Sequence, residues 1–246
     1  MLEADLHTHS HFSSCGLHSF VELLTCARDK GVKVLAITDH GPLIQGRLNS
    51  VFFERLHEPV GGVTLLKGIE CNLGEEKGSI DAPVHLMPLC DVILVGIHPN
   101  TPKGLSERHY TDLLIAAMER NCCIDIITHP NSVECPVDFT RLARAARELD
   151  IALELNNSKV ALQRVGNNVT ARLIDACADE GCPVAVCSDA HALDEVGCDE
   201  AIMALVARSG LDRGAIVNRS AISALEWLNR RRARKHRWVH TRNLPG

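Results

Sequence analysis

The sequence predicts one α/β domain in which parallel strands close into a barrel. Three observations carry that expectation. Short runs rich in Val, Ile and Leu alternate with helix-period segments seven times, and no linker-like stretch interrupts them. The runs are apolar throughout, as strands covered on both faces are. Six of the strand ends carry ligand-type side chains: Asp5-Leu6-His7-Thr8-His9, Thr38-Asp39-His40-Gly41, Gly68-Ile69-Glu70, Gly96-Ile97-His98, Thr128-His129-Pro130 and Ser188-Asp189-Ala190-His191. Parallel barrels carry their chemistry at the carboxyl ends of the strands. Six such arrivals at one structural place predict a multinuclear metal site.

Taken in order, the first strand is expected at 3–9, and a helix at 19–30 is closed by Gly31. A strand at 33–38 leads into the loop Asp39-His40-Gly41-Pro42, a helix at 48–57 and a strand at 63–69. The Gly/Pro-rich stretch 74–88 reads as an excursion with a hairpin-like turn. A strand at 91–97 precedes a helix at 106–120 with Ser106 as N-cap. The second half repeats the alternation: strands at 124–128, 151–155 and 183–187, and helices at 138–149, 169–180 and 198–209. A short edge strand at 216–218 and a helix at 220–230 finish the barrel.

Composition narrows the class. Aromatics are 3% of the 246 residues against 46% hydrophobic, so the core must be aliphatic. No apolar run approaches the roughly 20 residues of a bilayer span, and no basic-then-apolar leader opens the chain. The 11 cysteines are odd in number and lack a C-x-x-C pair, which predicts small buried thiols in a reducing, cytoplasmic location rather than disulfides. Arg230, Arg231, Arg232, Arg234, Lys235, Arg237 and Arg242 contribute +7 near the carboxyl terminus, so the overall −5 leaves −12 for the rest. The expected division is therefore a barrel domain at 1–229 and a flexible basic tail at 230–246. An acidic body argues against a nucleic-acid groove over the whole chain. No heptad or long apolar strip speaks to self-association, and a homo-oligomer is compatible with the sequence.

Within the candidate site, His7 and His9 stand two apart on a strand, so their side chains leave one face and can grip one ion. Asp189 and His191 repeat that spacing. Asp5 is suited to orient an imidazole from behind. Glu70, with two carboxylate oxygens, is the natural bridge between two ions.

Taken together, DLHTH, ITDHG, GIE, GIH, THP and SDAH resemble the PHP (polymerase and histidinol phosphatase) superfamily, in the same order and intervals from residue 1 to about 230. The segments ITDHGP and LELNNS are most similar to its YcdX-type branch of metal-dependent phosphatases. The resemblance implies a distorted (β/α)7 barrel with three divalent ions, usually zinc and sometimes manganese or iron, and hydrolysis of phosphoesters. Carried over by position, one ion takes His7, His9, Glu70 and Asp189, and a second shares Glu70 with His98 and His129. The third takes His40, His191 and the residue at Cys15. That position is usually histidine in the branch, so the chain departs from the pattern there. A thiolate is a good zinc ligand; the alternatives are an unliganded thiol, with water, His11 or His18 in its place, or a weak third site.

The implied chemistry is attack on phosphorus by hydroxide held at the ions under Glu70, with Asp189 or His191 managing protons and a small phosphorylated molecule as substrate. Arg164 is a candidate phosphate clamp, because it follows the sixth strand and aligns with an Arg in the similar sequences. Asn156, Asn157 and His18 are further candidates to meet substrate or ligands, and the loops at 42–49, 99–106 and 157–168 are expected to shape the pocket. Two other readings remain at this point: a nuclease on single-stranded nucleic acid held by the basic tail, and a non-catalytic metal-binding subunit.

Overall fold

The computed structural model describes residues 1–74, 76–98 and 103–242. Among them, seven strands pair in sequence order, every pair parallel: β1 (Ala4–Asp5), β2 (Val34–Ile37), β3 (Thr64–Asn72), β4 (Val92–Gly96), β5 (Ile126–Ile127), β6 (Ala152–Asn156) and β7 (Val184–Cys187). Around them run α1 (Phe20–Lys30), α2 (Ser50–Arg55), α3 (Glu107–Arg120), α4 (Phe139–Leu149), α5 (Asn157–Ala161), α6 (Asn167–Glu180), α7 (Glu200–Val206) and α8 (Ala221–Arg242). The result is the distorted (β/α)7 barrel. Local chemistry sets several boundaries as expected. Ser106 accepts from His109 N at 3.3 Å to start α3, and Gly31 takes φ 84° to end α1.

Strand parity divides the core into two layers. Val34, Ala36, Leu66, Leu94, Ile126, Ala152 and Ala185 form one buried cluster, whereas Leu35, Ile37, Ile69, Ile93 and Val95 join the larger cluster that packs on the helices. Glu154 shares the parity of Ala152, and Glu70 that of Leu66. Continuing the inner face toward the strand ends therefore delivers polar groups to the mouth.

The barrel closes without a continuous β7–β1 ladder, and that gap is its distortion. Near the mouth, Asp189 N donates to His7 O at 3.0 Å and His9 N to Ala190 O at 2.9 Å. Lower down, the Asn218 amide spans the seam, accepting from Val186 N at 3.0 Å and donating to Ala4 O at 2.9 Å. The strand expected at 216–218 is a single parallel bridge, Val184 to Ile216. The first and fifth strands are also shorter than expected. At the first, side chains take over from the ladder: Thr8 Oγ1 donates to Ala36 O at 2.6 Å, and Thr8 N donates to Thr38 Oγ1 at 3.1 Å.

The last helix runs on past the expected boundary at Asn229. α8 continues through Arg230 to Arg242 and seals the base of the barrel, with Ala224, Trp227 and Leu228 joining the inner cluster. Burying each of the two large side chains stabilises by about 1.5–3 kcal/mol. Beyond them, Arg231 Nε donates to Asp125 Oδ1 at 2.9 Å, and Lys235 Nζ lies 2.7 Å from Asp125 Oδ2. Arg234 reaches Asp150 Oδ2 at 2.9 Å, Arg232 reaches Asp91, and Trp238 Nε1 donates to Asn121 Oδ1. Seen along the chain these residues are a cationic run; in the fold they find carboxylates from the strand starts. Residues 243–246 of the expected tail, and 99–102 of the expected pocket loop, lie outside the described residues.

All the cysteines are free. Among the described residues, no helix is long and apolar enough to cross a membrane.

Candidate metal centre

The side chains from the strand ends converge on Glu70, which is fully buried. Its Oε2 lies 2.9 Å from His40 Nδ1 and 3.5 Å from both His7 Nε2 and His9 Nε2. Its Oε1 lies 3.1 Å from His98 Nε2 and from His129 Nε2, and accepts from Thr128 Oγ1 at 2.8 Å. Asp189 Oδ1 stands 3.3 Å from His9 Nε2 and 3.5 Å from His7 Nε2. The two imidazoles of the first strand end bring Nε2 atoms within 3.0 Å of each other. A second group gathers the ligand atoms of Cys15, His9, His40 and His191 within 4.8 Å. Neither His11 nor His18 belongs to it. His9 and His40 stand between the groups.

These donors fit divalent ions. Bonds of ~2.0–2.1 Å at tetrahedral angles set ligand atoms about 3.3–3.4 Å apart, within the 2.9–3.5 Å range found around Glu70 and Asp189. Glu70 Oε2 and His40 Nδ1 are buried and make no hydrogen bond of acceptable geometry, an arrangement that a shared cation relieves. Gly96 leaves room for it: a Cβ there would lie 2.8 Å from His98 Cε1 and 2.3 Å from Thr128 Oγ1. His129 and Asp189 hold φ at 29° and 55°, uncommon for residues with a side chain.

Burial opposes charge at Glu70, His7, His9 and Cys15, and at all but His9 the neighbours override it. At Glu70 it would raise the carboxyl, yet the charges of His98, His7 and His40 hold it well below the usual carboxylate range. At His7 burial works against the cation, and Glu154, Glu70 and Asp189 override it. His9 is pushed down to about 3, chiefly by burial, and so presents a neutral ring with a lone pair. Burial would raise the Cys15 thiol, but hydrogen bonds and charge from His191 and His40 bring it down to about 6. A thiolate beside imidazoles is a soft donor set.

Sequence reasoning missed the residue that orients His7. Glu154 Oε1 lies 2.7 Å from His7 Nδ1, while its Oε2 accepts from His129 N at 2.6 Å and Asn156 Nδ2 at 3.1 Å. With Nδ1 donating to the carboxylate, Nε2 is the His7 atom left to hold an ion in exchange for its proton. The signal was a lone carboxylate inside the apolar run Ala152–Asn156. Asp5, expected in that role, instead accepts from Ser188 Oγ, Ser188 N and Gly197 N and so ties the β1–β7 seam. Asp39 acts through Ser13, whose Oγ donates to it at 2.6 Å and lies 3.3 Å from His9 Nδ1.

Of the expected substrate contacts, Arg164 lines a cavity of about 760 Å³ that opens beside His98 and His129. Lys159 and Lys103, not singled out from sequence, line it too. Asn157 is engaged with α7: its side-chain oxygen accepts from Ala201 N at 3.0 Å and Ile202 N at 3.1 Å, holding the start of that helix. The loop expected at 157–168 begins as α5, so Asn157 turns from the mouth while Asn156 faces it, donating to Asp189 Oδ2 at 3.0 Å. His18 is half-buried before α1 and does not line the cavity.

Comparison with known proteins agrees with this geometry. The PHP domain model matches residues 5–158. A probable phosphatase of Proteus mirabilis is 32% identical over 232 residues, covering 93% of this chain and 94% of its own. The histidinol phosphate phosphatase of Lactococcus lactis subsp. lactis, solved with zinc, L-histidinol and phosphate, superposes with a TM-score of 0.61 at 15% identity, over 85% of this chain and 94% of that one. A chain in the cryo-EM structure of archaeal ribonuclease P with mature tRNA superposes at 0.62 and 15%, over 92% and 90%. At such identities the two structures share the fold. The family match and the relative aligned over 94% of its own length, together with donors gathered from six strand ends, Glu70's among them, make this chain a member of the PHP domain family.

Proposed function

We propose that the chain is a metal-dependent phosphatase that hydrolyses a small phosphorylated substrate at a centre of three divalent ions. The observation that carries this reading is Glu70 Oε2, ringed by three imidazole nitrogens within 3.5 Å and accepting no hydrogen bond. In this reading His7, His9, Glu70 and Asp189 hold one ion, Glu70 with His98 and His129 a second, and Cys15, His40 and His191 the third. Bound there, divalent ions would supply Lewis-acid polarisation of the phosphoester and would lower the pKa of the attacking water.

The chain's own residues prepare the rest. Glu154 and Ser13 hold the rings of His7 and His9. His191 Nδ1 lies 2.8 Å from the Asp189 carbonyl, so donation there leaves Nε2 as the ligand atom. In this reading Asp189 or His191 manages proton traffic at the cluster. The thiolate of Cys15 favours zinc over manganese. Relatives named probable phosphatases, and a structural neighbour solved with zinc and phosphate, support the same reading. The basic segment behind the nuclease alternative is largely occupied by pairs at the barrel base. The full donor set weighs against a non-catalytic subunit.

Zinc-replete protein is expected to contain close to three ions by elemental analysis and to hydrolyse p-nitrophenyl phosphate. A chelator should abolish that turnover and zinc should restore it. X-ray absorption should show one sulfur at ~2.3 Å from zinc, lost in Cys15→Ala and replaced by nitrogen in Cys15→His. Fewer than two ions after supplementation, or turnover indifferent to chelator, overturns the reading.

A further inference from the structure

The cavity beside His98 and His129 carries more positive charge than a single phosphate needs. Among the described residues its walls hold three cations, Lys103, Lys159 and Arg164, against one carboxylate, Glu134. Lys159 and Arg164 share a wall because the chain folds back after α5. Arg164 N donates to Lys159 O at 3.0 Å, with Gln163 at φ 53° making the turn. The wall is anchored to the metal centre: Asn156 Oδ1 accepts from Lys159 N at 2.9 Å, while Asn156 Nδ2 donates to Asp189 Oδ2. Lys159 Nζ stands 3.6 Å from that same oxygen. Arg164 and Lys103 are exposed, and among the described residues their side chains pair with no carboxylate.

Charge at the metal centre decides what these cations are for. Three divalent ions against the charges of Glu70, Asp189 and the Cys15 thiolate leave a surplus of positive charge, enough for a phosphate dianion. Arg164 and Lys103 are then left to meet something else, with Lys159 adding its charge from beside Asp189. A guanidinium forks onto carboxylate or phosphate with two parallel hydrogen bonds, and an ammonium adds a point charge beside it. Ile97 and Val165 line the same cavity and offer apolar surface for a short carbon skeleton.

We propose that Lys159 and Arg164, with Lys103, form a second anion subsite, so that the substrate class is a phosphomonoester bearing a further carboxylate or phosphate. This rests on the phosphatase function proposed above. Matched esters test it on zinc-replete protein: 3-phosphoglycerate against glycerol 3-phosphate, and fructose 1,6-bisphosphate against fructose 6-phosphate. In at least one pair the doubly anionic member should show a kcat/KM about tenfold to a hundredfold higher, the range of a hydrogen bond to a charged group. Preference confined to the first pair assigns a carboxylate, and to the second a phosphate. Arg164→Ala should bring the ratio close to one, chiefly through KM, and Arg164→Lys should recover only part of it. Calorimetry on chelated protein reads the wall without turnover: the doubly anionic ester should bind more tightly than its partner, and Arg164→Ala should remove the difference. Equal kcat/KM within both pairs, with p-nitrophenyl phosphate still hydrolysed, overturns the subsite and leaves the phosphatase standing. No hydrolysis of any ester overturns both.

Discussion

At the base of the barrel, Arg231 is 1% exposed, and its guanidinium is met by Asp125, Asp150 and the carbonyls of Ile124 and Asp150. At the mouth, Glu70 is 0% exposed, and its Oε2 has imidazoles around it but no hydrogen bond. Both ends bury charge at comparable depth. The base closes its network with partners of its own, as a structural ion pair must. The mouth leaves lone pairs converging on shared space, which is tolerable in a dry site only when a cation completes it. A buried charge is therefore a pointer to function when its partners are insufficient, and to architecture when they are complete.

The sharpest way to break this contrast is Glu70→Gln. With the bridging charge gone, kcat should fall about a thousandfold, the upper range for removing one electrostatic group from a transition state. Zinc content should fall with it, by elemental analysis, while circular dichroism shows the chain still folded. Wild-type turnover and metal content would return the mouth to the same class as the base. The mirror experiment is Arg231→Ala, which leaves Asp125 with Lys235 as its one remaining cation and should cost up to about 3 kcal/mol in denaturant unfolding, with kcat/KM of the folded fraction unchanged. Truncation before Arg230 should be worse still, since it strips the base of its cations.

Zinc should matter to stability as well as turnover. Chelation should lower the melting temperature, and zinc at a hundred times its dissociation constant should restore about 2.7 kcal/mol, whereas the Arg231 deficit should not respond. A smaller effect is expected one layer behind the ligands. Glu154→Gln should weaken zinc about tenfold to a hundredfold in competition with a chromophoric chelator, the range for orienting groups, because His7 loses its charged anchor. Asn157→Ala, smallest of all, should cost about 1 kcal/mol as a lost helix cap, with zinc affinity unmoved. A large loss of turnover there would put Asn157 back at the substrate.

The strand-end residues were legible in the chain because their signal is local. A buried run, a ligand-type side chain and a turn lie within a few residues of one another, so the inner parity of β3 and β4 carries Glu70 and His98 to the mouth. The caps at Ser106 and Gly31 were legible for the same reason. Asn157 was not, since its neighbour Asn156 has the same chemistry, and only the start of α5 decides which amide faces Asp189.

Where pairing spans the barrel, the chain alone was silent or misleading. Glu154 and His7 are 147 residues apart, and Arg231 and Asp125 are 106 apart. Which carboxylate meets which ring or guanidinium depends on strand register and on the helix that closes the base, and neither is written in any local window. A run of arginines looks solvated until a fold supplies its aspartates. Asp5 looks like the partner of His7 until the seam claims it for Ser188 and Gly197. The sequence settled which residues would reach the mouth and the alternation that takes them there; tertiary contact settled which charges are satisfied, because satisfaction is a property of pairs.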